Sequence, residues 1–215
     1  ISDHILDLGD EQIQAEKFII ATGSSPIVPG PWQKYREHLL TTDEFFELEE
    51  LPETMAVIGL GVIGIELGQA LNRLGVNVIA AGLGKEIGGL TEPELQDYTL
   101  KKLSEEMAIY TEGADIVGYD NKGKLLIKVD DQEIPVDKAL IAVGRKPNIG
   151  NIGLENLNIN LKNGQPEIDK SNFSLKEKQH IFLVGDVNGE RSLLHEAADE
   201  GYIAGFNAVN PKQCF

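Results

Sequence analysis

Cysteine is almost missing from this chain of 215 residues, with Cys214 its sole example. A lone thiol excludes an internal disulfide and any metal site built on several cysteines, so no metal centre is expected. It fits a reducing, cytoplasmic setting. One residue from the end of the chain, it reads as an inert terminal thiol. Positive charge is also scarce: 19 Lys and Arg stand against 35 Asp and Glu, a formal net charge of -16. A field of that sign repels phosphate backbones, so nucleic acid is not an expected partner. No apolar run is long enough to span a bilayer and the start shows no signal-peptide pattern, so no membrane association is expected.

Glycine, by contrast, is plentiful at 23 residues. Residues 57–68 read Val-Ile-Gly-Leu-Gly-Val-Ile-Gly-Ile-Glu-Leu-Gly. Before them stand a turn signal, Leu51-Pro52-Glu53, and an apolar run over 55–58 that suits a parallel strand buried on both faces. After them Ile63, Leu67, Ala70, Leu71 and Leu74 recur at helical spacing on one face, and Gly75 stands at the expected C-cap. Residues 76–81 supply the next strand. In that strand–turn–helix–strand context, Gly59, Gly61 and Gly64 point to a dinucleotide site rather than a tight turn without a ligand. Gly59 permits the turn, Gly61 lets backbone approach a pyrophosphate, and Gly64 lets the helix pack on the strand. The helix start then offers N–H groups and a positive dipole end to the ligand's charge.

One expected residue is absent. Such sites commonly carry Asp or Glu about 20 residues on, at the end of the second strand, to hold the adenosine ribose. Here the strand runs into Gly82-Leu83-Gly84, with neither an acid nor an Arg. Lys85 and Glu86 follow and read as solvated loop charges. NAD is the expected coenzyme, with NADP left open.

Elsewhere, residues 5–8 and 17–20 read as strands around a polar turn near Gly9-Asp10. The second runs into Ala21-Thr22-Gly23-Ser24-Ser25-Pro26, either a close backbone approach to a ligand or simply a sharp exit from a sheet. Residues 43–53 suggest a solvated helix with Phe45, Phe46 and Leu48 partly buried, and 92–107 an amphipathic helix carrying Leu95, Tyr98, Leu100 and Leu103. Strands over 116–119, 125–129 and 133–136, with a turn at Asn121-Lys122-Gly123, make a meander. Residues 138–145 form another buried strand ending in glycine, and the Asn-rich stretch 148–163 reads as irregular surface. A last strand, 180–184, ends in Gly185-Asp186, and a helix over 193–209 packs through Leu194, Ala197, Ala198, Ile203 and Phe206. Asp186 either caps a turn or binds a polyol at a strand's carboxyl end. Taken by itself, His195 suits a structural role better than a catalytic one.

Four segments thus occur in fixed order: Ala21-Thr22-Gly23, then the run from Gly59 to Glu66, then Gly144-Arg145-Lys146-Pro147-Asn148, then Gly185-Asp186. Leu-His-Glu-Ala-Ala-Asp-Glu-Gly follows over 194–201. This series resembles the FAD-dependent pyridine nucleotide–disulfide oxidoreductases, most of all their dihydrolipoamide dehydrogenase branch, over nearly the whole chain. The resemblance implies an α/β fold: a Rossmann-like NAD-binding domain (parallel sheet plus β-meander) over 51–145, flanked by incomplete FAD-domain segments over 1–50 and 146–215. It implies NAD contacts at Gly59, Leu60, Gly61, Val62, Ile63, Gly64 and Glu66, with Glu66 near the nicotinamide end, and at Gly82 and Gly144. It implies FAD contacts at Ala21, Thr22, Gly23 and Ser24, at Asp186 on the ribitol, and at Ser192, Leu193, Leu194 and His195 under the flavin ring.

The family's amino-terminal glycine motif for FAD, its redox-active cysteine pair and its carboxy-terminal interface domain are not in these residues. The chain is therefore expected to be an internal segment of a homodimeric flavoprotein that passes electrons between a small dithiol or disulfide, FAD and NAD. Its own share is to place the nicotinamide for hydride transfer. Alone, it is expected to bind nucleotide weakly and, with no catalytic residue of its own, to catalyse nothing. Glutathione, mercuric and other flavin disulfide reductases, NADH oxidases and a non-catalytic nucleotide-binding module are the alternatives.

Overall fold

The computed structural model describes residues 3–82, 84 and 87–210. Cys214, Leu83, Lys85 and Glu86, discussed above, lie outside the described residues. The chain makes two units, one from the residues through Ser25 together with those from Lys146 on, the other from Pro26–Arg145. The sequence boundary at residues 50–51 falls inside the second unit, because Trp32, Tyr35 and Leu39 belong to its core.

The first unit begins with β1 (Ile5–Asp7), β2 (Gln12–Gln14), β3 (Phe18–Ile20) and β4 (Ser24–Pro26). The polar turn at Gly9 joins β1 to β2 as an antiparallel hairpin, so residues 12–14 and not 17–20 pair with the first strand. The second unit follows with a 3-10 helix Gly30–His38, β5 (Leu39–Leu40), α1 (Thr42–Phe45), β6 (Thr54–Ile58), α2 (Val62–Arg73), β7 (Asn77–Ala81), α3 (Pro93–Ser104) and β8 (Ala108–Tyr110). Then come β9 (Asp115–Tyr119), β10 (Leu125–Val129), β11 (Gln132–Val136) and β12 (Lys138–Ile141). The chain returns through β13 (Arg145–Pro147), β14 (Leu161–Lys162), β15 (Gln165–Pro166), β16 (Ser174–Leu175), β17 (Lys178–Leu183) and α4 (Leu194–Val209).

Five strands of the second unit form a parallel sheet in the order β5-β12-β6-β7-β8. Both of its faces are covered, which is why these strands read as continuous apolar runs. On one side Leu71, Leu103 and Met107 pack against Met55, Val57, Val78 and Leu140. On the other, Trp32 and Tyr35 join Ile116, Leu125, Ile127 and Val136 of the antiparallel β9–β10–β11 meander over Ala56, Ile58, Ala139 and Ile141. At the amino ends of β6 and β12, the Asp137 carboxylate accepts the Thr54 N–H at 2.9 Å and the Thr54 hydroxyl at 2.7 Å. Lys124 Nζ lies 3.1 Å from its other oxygen. Partial burial works against the charged form here, but these contacts outweigh it and hold the carboxyl below its ordinary range.

Helix faces differ from the periodic reading. The buried stripe of α2 is Gly64, Gly68 and Leu71; Ile63 is 40% exposed and Leu74 69%. The helix lies so close to the sheet that glycine faces it and larger apolar residues flank the contact. On α3, Leu103 is buried while Leu95 and Tyr98 are exposed. On α4, Leu194 is 89% exposed and Ala198 also faces outward, whereas Glu200, Ala204 and Asn207 are buried. The helix suggested for residues 43–53 is only the four-residue α1, and Phe46 is exposed. A capping box between Thr41 and Glu44 starts it. The acids of Glu47-Leu48-Glu49-Glu50 would oppose a helix dipole there, and Pro52 follows.

In the first unit β3 runs parallel to β17, which pairs antiparallel with β16. The Asn-rich stretch is not all surface: Leu154 and Leu157 are buried in this unit's core. Its asparagines still have a backbone reason, since Asn151, Asn158 and Asn163 all adopt positive φ, which Asn tolerates better than most residues. Among the described residues, no helix is long and apolar enough to cross a membrane.

Candidate functional site

The glycine turn leaves β6 where the sheet reverses direction of growth, with β7 on one side and β12 on the other. Open α/β sheets bind ligands at the carboxyl ends of the strands at such a switch point. Gly59 has φ +116, and a Cβ there would stand 2.2 Å from the Ala142 carbonyl oxygen. Its N–H donates to the Ala81 carbonyl at 2.7 Å, and the Ala142 N–H donates to Ile58 at 2.7 Å, so all three strand ends are tied together. Gly64 packs onto this turn from the first turn of α2; a Cβ there would lie 1.9 Å from Gly59 O. Gly61 differs from both: it is the N-cap of α2, and a Cβ on it would meet nothing within 4 Å. The Ile65 N–H donates to Gly61 O at 3.0 Å as the first bond of the helix, so the amides of Val62, Ile63 and Gly64 have no acceptor within α2.

This loop forms one wall of a cavity of about 1000 Å³. Gly59, Leu60, Gly61, Gly82 and Gly144 all line it, as do Ala142 and Val143 beyond β12. Several lining residues were not singled out from sequence: Trp32, Glu112, Asp115, Lys128 and Asp130. Trp32 is buried, and its Nε1 donates to Asp115 Oδ1 at 2.8 Å. Nothing local marks Trp32 or the meander residues, because the fold alone brings them to the cavity. Val62 and Ile63 line a smaller hollow of about 200 Å³ that shares Gly61, Ala142 and Gly144 with the first. Arg145, in its wall, donates from Nη1 to Thr42 Oγ1 at 2.9 Å and approaches Asp43 Oδ1 at 3.1 Å. Glu66 is on the exposed side of α2 and lines neither hollow.

In the first unit, residues 21–25 are fastened through Asn148. Its N–H donates to Gly23 O at 2.9 Å and its Nδ2 to Thr22 O at 3.0 Å. Thr22 Oγ1 donates to Asn148 O at 2.8 Å, and Ser25 Oγ to Asn148 Oδ1 at 2.7 Å. Ser24 Oγ donates to Asp186 Oδ2 at 2.7 Å, which brings two sequence-predicted residues together at the carboxyl end of β17. Glu200, buried on α4, accepts the Gly185 N–H at 2.6 Å and Asn188 Nδ2 at 2.7 Å, holding the turn on which Asp186 sits. Neither Asn148 nor Glu200 was named as a site residue; nothing local shows that the partners of Asn148, just after β13, lie at residues 22–25, or that Glu200 inside α4 reaches back to Gly185. Ser192, Leu193, Leu194 and His195 are exposed at the start of α4, where Leu193 is the N-cap. Ala21 is exposed as well. Among the described residues, no group of three or more His, Cys, Asp or Glu could hold a metal ion.

A parallel sheet with a glycine turn at its switch point defines the Rossmann-like class. Residues 3–201 match the pyridine nucleotide-disulphide oxidoreductase family, and the chain belongs to it. It is similar to the mercuric reductase of Staphylococcus aureus, 31% identical over 215 residues, covering 97% of this chain and 39% of that protein. The dihydrolipoyl dehydrogenase of Bacillus subtilis (strain 168) is 32% identical over 213 residues, covering 94% of this chain and 44% of its own length. The chain thus spans less than half of either relative. Among solved structures, LpdA from Mycobacterium tuberculosis superposes with a TM-score of 0.79 at 25% identity, over 93% of this chain and 44% of that one. The HOCl-induced flavoprotein disulfide reductase RclA from Escherichia coli shares the fold, with a TM-score of 0.82 at 21% identity, over 100% of this chain and 50% of that one.

Proposed function

We propose that the second unit binds a nicotinamide dinucleotide across Gly59, Leu60, Gly61, Gly82 and Gly144, as the nicotinamide-binding part of a flavin disulfide oxidoreductase of the dihydrolipoamide dehydrogenase type. One observation carries this reading: a glycine turn with no side chain over it, at a helix start, opening on a cavity of about 1000 Å³. Val62 and Ile63 form the continuation of that surface and Gly64 seats the helix, while Glu66, exposed on α2 outside both hollows, is assigned to the nicotinamide end on the family resemblance alone. NAD, once bound, supplies the hydride-carrying ring. The backbone amides at the start of α2 would hold its pyrophosphate.

For FAD, the residues present fit a partial site. The Ala21, Thr22, Gly23 and Ser24 turn and Asp186 are mutually fastened at a strand end, where Asp186 suits the ribitol hydroxyls. Ser192 to His195, at the start of α4, would lie beneath the ring. Among the described residues, the one strand–Gly-x-Gly–helix unit is the one assigned here to the nicotinamide side. In the whole protein we assign a small dithiol or disulfide as substrate and a homodimer as the working form; this chain by itself is assigned no turnover.

Trp32 provides the test. It is the chain's one tryptophan and lines the cavity, so NADH should quench its emission on titration. A flat titration up to millimolar NADH would remove the nucleotide reading. NADH formation driven by a dithiol with this chain alone would remove the assignment of no turnover.

A further inference from the structure

Another hollow, of about 350 Å³, lies in the first unit and shares no lining residue with the cavity beside the glycine turn. Its floor is Phe182, a buried residue that clusters with Val184 and with Ala204 of α4. Ser174 of β16, Gln179 of β17 and Lys17, just before β3, stand in its wall, so all three strands of the β16-β17-β3 sheet contribute to it. Asn172 and, from the end of α4, Asn207 and Asn210 complete it. The strand pairing slips beside this hollow. Ser174 pairs with Phe182 and Leu175 with Lys178, so one step along β16 matches four along β17. Such irregularities re-aim side chains, and Gln179 falls within this one.

Three donors here are uncommitted among the described residues. Ser174 is 4% exposed; its N–H donates to Asn172 Oδ1 at 2.9 Å and its carbonyl accepts the Asp169 N–H at 2.8 Å, but its hydroxyl has no hydrogen-bond partner. Lys17 is half-buried with no carboxylate in ion-pair reach, and the Gln179 amide has no partner either. A nearly buried hydroxyl and a half-buried ammonium both call for an acceptor. Among the described residues no Asp or Glu lines the hollow, in a chain whose formal charge is -16. Asp169, which accepts Asn172 Nδ2 at 3.3 Å, is engaged by the Ser171 N–H at 2.9 Å and hydroxyl at 2.7 Å. The carboxyl end of α4 brings about half a negative charge. Asn210 covers the Phe206 carbonyl there with its N–H at 3.0 Å and its Nδ2 at 2.9 Å, and Lys17 carries a full positive charge, so the local balance is positive. We propose that this hollow binds a small oxyanion, a carboxylate or a phosphate group. Lys17 supplies the charge, and Ser174 Oγ and Gln179 Nε2 donate to its oxygens, the charge-assisted geometry that makes strong hydrogen bonds. The volume is at the low end for small-molecule sites, which suits a ligand much smaller than a dinucleotide.

The test is to titrate the isotope-labelled full chain with inorganic phosphate and, separately, with acetate, at an ionic strength held constant with chloride. The side-chain amide NMR signals of Gln179, Asn172 and Asn210 report on the hollow. In wild type they should shift saturably, in the millimolar range, with at least one of the two probes. Saturation by phosphate alone assigns a phosphate ligand, by acetate alone a carboxylate, and by both an oxyanion site that takes either. Lys17→Met, which keeps most of the aliphatic stem, should weaken binding at least tenfold, Lys17→Arg should retain most of it, and Ser174→Ala should weaken it at least threefold. Shifts that never saturate, or that chloride alone reproduces, overturn the proposal. So does a folded Lys17→Met that binds as wild type does. Ser174→Ala carries the same test if Lys17→Met does not fold, and unchanged affinity there overturns the assignment equally. Trp32 quenching by NADH should be alike in all of these proteins, which separates failure of this site from failure of the nucleotide reading.

Discussion

Glycines that look equivalent in the sequence do separate work at the residue scale. A methyl on Gly61 meets nothing in the free protein, whereas one on Gly59 runs into Ala142 and demands a left-handed backbone. Gly61→Ala should therefore keep its melting temperature within a degree or so, while its NADH affinity falls at least tenfold. Gly59→Ala should lose about 3 kcal/mol or more, from strain and overpacking, in a denaturant titration. If both variants lost only stability, the loop would be no more than a turn. Asp137 gives a prediction in pH. Its folded pKa is depressed, so its contribution is present above the unfolded pKa of about 3.9 and is lost as pH falls through the folded value. Asp137→Asn should cost about 1 kcal/mol near neutral pH, and the gap from wild type should close in acid. Urea melts between pH 2 and 7 would measure it.

For whole elements, the strands could be read from sequence because burial on both faces leaves an uninterrupted apolar signature. Helices were harder. The contact face of α2 consists of Gly64, Gly68 and Leu71, and two glycines contribute nothing to a hydrophobic pattern. Ile63 and Leu74, which do contribute, turn outward. The two helical glycines are not interchangeable. A Cβ on Gly68 would sit 3.6 Å from Met107 Sδ and 3.7 Å from Val57 Cγ2, ordinary contact distances. Gly68→Ala should thus stabilise the protein by about 0.5–1 kcal/mol through helix propensity. Gly64→Ala, aimed at Gly59 O, should destabilise it, and thermal melts of the pair would check both signs. The α4 misreading has a similar origin: Glu200 is buried for its bonds to the Gly185 turn, and no periodicity of apolar residues reveals that.

At the scale of the whole molecule, charge sets an expectation for kinetics. A chain with a formal charge of -16 repels an anionic coenzyme over distances that salt screens, while contacts between loop amides and pyrophosphate are too short to be screened. The association rate for NADH should rise between roughly 10 and 150 mM salt, over which the screening length falls to about 8 Å; stopped-flow quenching of Trp32 would record the opposite trend if local attraction governed capture. The sequence was clear about the order of the segments and the glycine turn, which are local. It was silent on Trp32, on the partners of Asn148 and on the cavity-facing meander residues, because those contacts reach far along the chain. The same remoteness bears on how the protein is made. Residues of β3 pair with β17 across about 160 intervening positions, so a chain leaving the ribosome finishes the inserted unit while β3 still waits for its neighbour in the host unit. Birth order and assembly order are thereby reversed: the piece begun second is complete first, and the one begun first closes last.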